Sequence, residues 1–209
     1  MFSNLQTWTI VGFASAIWLG LAVVGKVEGG LKSIWDLADL IPLLLLGGSV
    51  FERWGWRWQP LHPHLVGTPV ARGTWRGELR SSFPDRTTGH PIAKPVYLAV
   101  EQTLTTVSVR MLTNESASDQ MVGSVCKGPN GVWVVGYTYF SMPDQPLRKD
   151  SPPHLGGAVL KLFGEPPDHI DGEYWTDRET KGTFTMMAQR PAVAQSFAQA
   201  EALPWEVDG

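Results

Sequence analysis

Residues Gly73 to Arg80 read GTWRGELR, and the stretch alternates strictly. Trp75, Gly77 and Leu79 share one face, continued by Ser81, while Arg76, Glu78 and Arg80 share the other. A period of two is the signature of a strand. The charged set must face water, so the Trp75 set faces a core. Toward the C-terminus the same kind of segment recurs between turn residues. Strand-like stretches run Pro95 to Gln102, Thr106 to Thr113, Met121 to Cys126, Val132 to Phe140, His154 to Phe163, Ile170 to Asp177 and Gly182 to Ala188. The breaks carry turn chemistry, with Asn130-Gly131 the clearest. No amphipathic helix pattern intervenes. Eight sequential strands with short connections predict an antiparallel meander, and closure into an up-and-down β-barrel removes its edges. A two-sheet sandwich is the alternative architecture.

Toward the N-terminus the composition changes. Met1 to Gly25 holds no charged side chain, and Leu5 to Val24 is nearly all apolar. About 20 helical residues span the ~30 Å hydrocarbon core of a bilayer. The run has no basic n-region and continues past its only A-x-A, so it reads as a span and not as a cleaved signal. A second apolar run covers Leu37 to Phe51, with Asp36 and Asp39 at its start and Pro42 soon after. An Asp at the centre of a span costs about 3 kcal/mol. These two are therefore expected at the interface, or lining a seam between helices. The expected order is a two-helix transmembrane hairpin over 1–58, a linker over 59–72, a barrel over 73–190 and a tail over 191–209, where AVAQSFAQAEAL is compatible with a short helix or with a disordered end. Trp54, Trp56 and Trp58, interleaved with Arg53 and Arg57, read as an aromatic belt with basic anchors. The basic excess on the barrel side predicts a cytoplasmic barrel.

Charge and cysteine content narrow the function. The chain has 17 basic and 20 acidic residues, and 15 and 17 of them follow Phe51. That balance lacks the basic field that DNA or RNA binding needs. Cys126 is the single cysteine and excludes an internal disulfide. His62-Pro-His64 lacks a Cys or carboxylate partner, so no metal site is expected. There is no G-x-S-x-G, no H-E-x-x-H and no inward pair of carboxylates, so no enzyme is expected.

The inward sets are unusual for a structural barrel. Val135, Tyr137 and Tyr139 share a face, as do His154, Gly156, Ala158 and Leu160, and Tyr174, Thr176 and Arg178. They mix aromatic bodies with Ser, Thr, His and Arg. A buried Arg178 needs an anionic partner, from the protein or from outside. Two readings stay open at this point. In one, Tyr137 and Tyr139 are core aromatics and Arg178 is an exposed strand end. In the other, the barrel holds a pocket for an anionic, ring-bearing ligand.

Six stretches in order after two apolar runs carry a family resemblance: Gly73 to Phe83, Pro95 to Thr103, Ser116 to Ser118, Gly136 to Phe140, His154 to Leu162 and Gly172 to Phe184. They resemble the SMODS-associating two-transmembrane, β-strand-rich effectors (S-2TMβ) of CBASS, a cyclic-oligonucleotide antiphage system. This chain reads His154-Leu-Gly-Gly where the family often has His-Glu-Gly-Thr. The resemblance implies a bacterial inner-membrane, multi-pass protein whose barrel binds a cyclic dinucleotide made by a partner nucleotidyltransferase. Binding would drive homo-oligomerisation of the spans in the lipid bilayer, membrane disruption and death of the infected cell. No cofactor is implied beyond that ligand. On this reading Trp75, Tyr137 and Tyr139 offer aromatic faces to bases, and Arg178 and His154 meet phosphate. Ser81, Gln102 and Thr176 read base edges or ribose hydroxyls. Gly12, Ala16 and Gly20 form a small-residue stripe for span association, with Asp36 and Asp39 adding polar contacts. A membrane-tethered, lipocalin-like carrier or sensor of a small apolar ligand is the competing reading. An interior of Leu and Val without Arg178, His154 or Ser81 would favour it.

Overall fold

The computed structural model describes residues 34–58, 60–61, 66–84, 91–149 and 151–205. Two compact units divide the chain. The first comprises residues 1–67 with 103–105, the second residues 68–102 with 106–209.

In the first unit α1 spans Ile34–Arg53, with Pro42 inside it and a 3-10 turn following at Gly55–Arg57. Its later turns are exposed at Leu45, Leu46 and Val50. Trp54 and Trp58 are exposed, Trp56 is fully buried, and the Arg53 guanidinium lies 5.6 Å from the centre of the Trp54 ring. Glu52 accepts hydrogen bonds from the Thr103 and Thr105 hydroxyls, and its carbonyl accepts from the Leu104 N–H. Among the described residues no helix is long and apolar enough to cross a membrane. Asp36 and Asp39 fall in the first turns of α1. The first apolar run, with Gly12, Ala16 and Gly20, lies outside the described residues, as do His62 and His64.

The second unit is a closed barrel in which β1 to β8 pair in chain order, each antiparallel to the next, with β8 returning to β1. The strands are β1 Gly73–Pro84, β2 Pro91–Gln102, β3 Val107–Leu112, β4 Ser116–Lys127, β5 Trp133–Pro143, β6 His154–Gly164, β7 Pro167–Thr176 and β8 Lys181–Arg190. The expected count and order hold, and the sandwich alternative does not. Strands β2, β4, β7 and β8 begin earlier than the apolar pattern indicated, β7 at Pro167 and β8 at Lys181. β2 opens at Pro91 and β4 at Ser116, because their first residues line a polar end of the barrel and carry no hydrophobic signal.

The core follows the alternation. Trp75, Leu79, Val96, Leu98, Val100, Val109, Val135, Leu160, Phe184 and Met186 form one buried cluster. Burying such side chains contributes about 1.5 to 3 kcal/mol each before chain entropy is subtracted. One seam is short. β3 pairs with β4 only over Arg110–Leu112. Beyond it the Gln120 side chain replaces the ladder, accepting from the Val109 N–H at 2.9 Å and donating to the Val107 carbonyl at 2.8 Å.

The tail is built into the unit. After β8 the chain crosses the outer face of β1, where the Thr74 hydroxyl donates to the Ala192 carbonyl and accepts from the Ala194 N–H. A short helix, α2 Phe197–Glu201, follows, capped by Ser196. Trp205 then stacks on Tyr97 with ring centres 5.6 Å apart, and the guanidinium groups of Arg76 and Arg190 lie 5.1 and 5.7 Å from its ring centre. Tyr97, Ala99 and Leu112, which face outward from the barrel, are buried by this strap.

Candidate functional site

Strand direction sorts the barrel's two ends. In an up-and-down barrel the ends of odd strands and the starts of even strands share one mouth. At that mouth the inward set ends in Ser81 on β1, Lys94 on β2, Ser118 on β4, Ser141 on β5, His154 on β6 and Thr176 on β7. These residues line a cavity of about 360 Å³. Ligand pockets for small molecules begin at about that size. Its floor is apolar, made by Leu79 and Met111, and the Tyr139 ring forms part of the wall.

Two glycines make room for the cup's rings. Tyr139 pairs with Gly156 on β6, and a Cβ at Gly156 would lie 2.3 Å from Tyr139 Cζ. The ring therefore lies flat over β6. Gly182 on β8 stands in register between Tyr174 and Ser81, and a Cβ there would lie 2.6 Å from Tyr174 Cε1. The Tyr174 hydroxyl crosses that gap and donates to Ser81 Oγ at 2.6 Å. Ser81 Oγ also accepts from the Phe83 N–H.

The cup's electrostatics centre on Arg178, in the turn after β7. Its Nη1 donates to Ser151 Oγ and to the Pro152 carbonyl, both at 3.3 Å. Its Nε is buried and has no partner among the described residues. An unpartnered buried guanidinium N–H costs free energy that an incoming anion recovers. Beside it, His154 Nδ1 lies 3.2 Å from the same Pro152 carbonyl. The neutral ring thus donates from Nδ1, which leaves Nε2 for a ligand. Burial holds the His154 pKa below its ordinary 6.5, with Arg178 pushing the same way against the Pro152 hydrogen bond and Asp177. Burial likewise raises the Tyr139 and Tyr174 hydroxyls, so both remain neutral donors. Thr176 and Thr180 share a hydroxyl–hydroxyl bond of 2.6 Å at the rim.

The structure brings five of the sequence-derived candidates together here: Ser81, Tyr139, His154, Thr176 and Arg178. It places the other three elsewhere. Trp75, at the start of β1, lies at the opposite end, fully buried, its indole N–H donating to the Ala71 carbonyl at 2.8 Å. Gln102, at the end of β2, accepts from the Ala71 N–H at 2.8 Å and donates to the Pro69 carbonyl at 2.9 Å. Both residues seal that end by binding the segment that leads into β1. Tyr137 is buried in the core below the cup, 5.9 Å from Tyr139 between ring centres, and its hydroxyl has no partner among the described residues. Burial raises its pKa as well. Sequence reading missed Lys94, Glu115, Ser118 and Ser141. Lys94 shares the inward register of Val96, Leu98 and Val100, and that register was the signal available. Among the described residues no group of three His, Cys, Asp or Glu side chains is placed to hold a metal.

Fold and cup together define a β-barrel domain with a ligand-sized, polar-walled receptor cavity. Residues 66–188 match the family model described as "Cap15, cyclic dinucleotide receptor domain". The chain belongs to that family, the CBASS effector family that the motifs resembled, and its barrel is a cyclic dinucleotide receptor domain. No curated protein matches the sequence.

Proposed function

We propose that this protein is a membrane-anchored CBASS effector whose cup binds a cyclic dinucleotide and whose spans respond by self-association. The observation that carries the ligand half is Arg178, which offers a buried Nε, without a partner among the described residues, at the wall of a cavity of about 360 Å³. A cyclic dinucleotide supplies what that group needs, a phosphate oxygen. The Tyr139 and Tyr174 rings supply faces for base stacking, worth about 1 to 3 kcal/mol each. Ser81, Thr176 and His154 Nε2 supply the hydrogen bonds that orient the ligand. The cup works by binding, with no chemical step.

The execution half rests on the apolar N-terminal runs. Ligand must favour an associated state that the free protein rarely visits. Between lipid-facing helices, close packing at Gly12, Ala16 and Gly20 and polar contacts from Asp36 and Asp39 supply the attraction. Inner-membrane disruption and loss of the infected cell follow, with the barrel on the cytoplasmic side beside the nucleotidyltransferase that makes the ligand.

Titration calorimetry on the full chain in detergent micelles tests the ligand half. A panel of cyclic di-AMP, cyclic di-GMP and cyclic AMP–GMP should yield a binder preferred over its linear dinucleotide. Arg178→Ala should weaken that binding by about 1.5 to 3 kcal/mol, the worth of a charge-assisted hydrogen bond. Equal affinity in the parent and in Arg178→Ala would remove the cup as the binding site. For the execution half, Ala16→Leu should abolish ligand-dependent toxicity while the barrel binds as before.

A further inference from the structure

The cup has a second cationic wall. Lys94 lies on β2 and His154 at the start of β6, and in a closed eight-stranded barrel those strands are four apart in both directions. The two side chains therefore line the mouth from opposite sides. Lys94 belongs to the inward set, directly above Val96, and its side chain is only 21% exposed. Its Nζ lies 2.6 Å from Oε2 of Glu115, which is 52% exposed at the β3–β4 turn. Glu115 is also tied by its backbone: its carbonyl accepts from Asp144 and its N–H donates to Thr113 Oγ1.

A cyclic dinucleotide carries its two phosphates on opposite sides of one macrocycle. Arg178 and His154 serve one side of the mouth, and the other phosphate then lies toward β2. We infer that Lys94 is the contact for this second phosphate, and that Glu115 is a competing anion which holds Lys94 in place and sets a threshold on ligand affinity. The inference rests on the cup being the cyclic dinucleotide site and adds to it a basis for requiring two phosphates. Lysine has three donors, so it can turn from carboxylate to phosphate without leaving the wall. The Glu115 carboxylate opposes an incoming dianion. Removing its charge should therefore improve binding, the opposite of the usual effect of deleting a polar residue from a site.

The test is calorimetry on the full chain in detergent, using the tightest binder among cyclic di-AMP, cyclic di-GMP and cyclic AMP–GMP, with cyclic AMP as the one-phosphate comparison. Lys94→Met should weaken the cyclic dinucleotide about tenfold, as loss of a charged hydrogen bond does, and narrow its advantage over cyclic AMP. Lys94→Arg, which keeps the charge and the fold, should restore most of that loss. Glu115→Gln should tighten binding about threefold, on the scale of a half-exposed ion pair. The assignment is overturned if Lys94→Met binds the cyclic dinucleotide as tightly as the parent while Arg178→Ala weakens it. It is also overturned if Lys94→Met weakens cyclic AMP and the cyclic dinucleotide equally, or if Glu115→Gln weakens binding. An Arg178→Ala variant with parental affinity would instead remove the cup reading on which the inference rests.

Discussion

At one end of the barrel Gln102, a buried amide, uses both of its polar atoms on the chain's own backbone. At the other end Arg178 keeps a buried Nε without a partner among the described residues. The same eight strands make both ends, and the difference lies in what their terminal inward residues bind. Trp75, Gln102 and Ala71 close their end with internal hydrogen bonds. Ser81, His154, Tyr174 and Arg178 leave capacity unused. Satisfied polar groups specify a fold; unsatisfied ones at a cavity wall mark where the fold meets a ligand.

Substitution at the two ends should therefore separate stability from binding. Trp75→Ala gives the largest expected stability loss, about 3 to 5 kcal/mol, because it empties a fully buried site. Chemical denaturation measures it, and the fraction that stays folded should bind ligand with parental affinity. A Trp75→Ala protein that is stable but blind to ligand would break the division between the ends. Gly156→Ala sits on the boundary between the two behaviours. Its Cβ displaces the Tyr139 ring, so it should cost about 1 to 3 kcal/mol of stability and also weaken binding. A variant that loses neither would show that the Tyr139 ring has another seat.

The smallest effect is the pH dependence. Burial depresses the His154 pKa. The folded state therefore resists protonation that the unfolded chain accepts, and stability falls as pH drops below about 6.5. A bound phosphate favours the charged ring and raises its pKa, so binding takes up a proton. Affinity should rise as pH falls toward about 5.5, while the stability of the free protein declines. Calorimetry in two buffers of different ionisation enthalpy would read the proton uptake. His154→Asn should abolish it.

Much of the fold was legible because alternation and turn chemistry speak directly: Trp75, Leu79, Val135 and Leu160 all face inward as the pattern requires. The site was half legible. Periodicity tells which face a residue takes, so Trp75 and Tyr139 looked alike. Strand direction tells which mouth it reaches, and applying that to Trp75 at the start of β1 and to Gln102 at the end of β2 assigns both to the closed end. Lys94 and Ser118 were hidden for another reason. The polar starts of β2 and β4 give no hydrophobic signal, and only the register against β1 and β3 shows that they continue the strands inward. The strap ending in Trp205 was illegible in detail, because its packing depends on the outward residues Tyr97 and Leu112 of strands about 100 positions earlier.

The claim that the unsatisfied end is the receptor is tested most directly by mapping amide and side-chain NMR shifts of the full chain in micelles during titration with a cyclic dinucleotide. The Arg178 Nε–H, the His154 ring and the Tyr174 amide should move together with one saturation curve, while the Trp75 indole N–H and the Gln102 side-chain amide stay in place. Saturable shifts at Trp75 and Gln102 with Arg178 unmoved would contradict it.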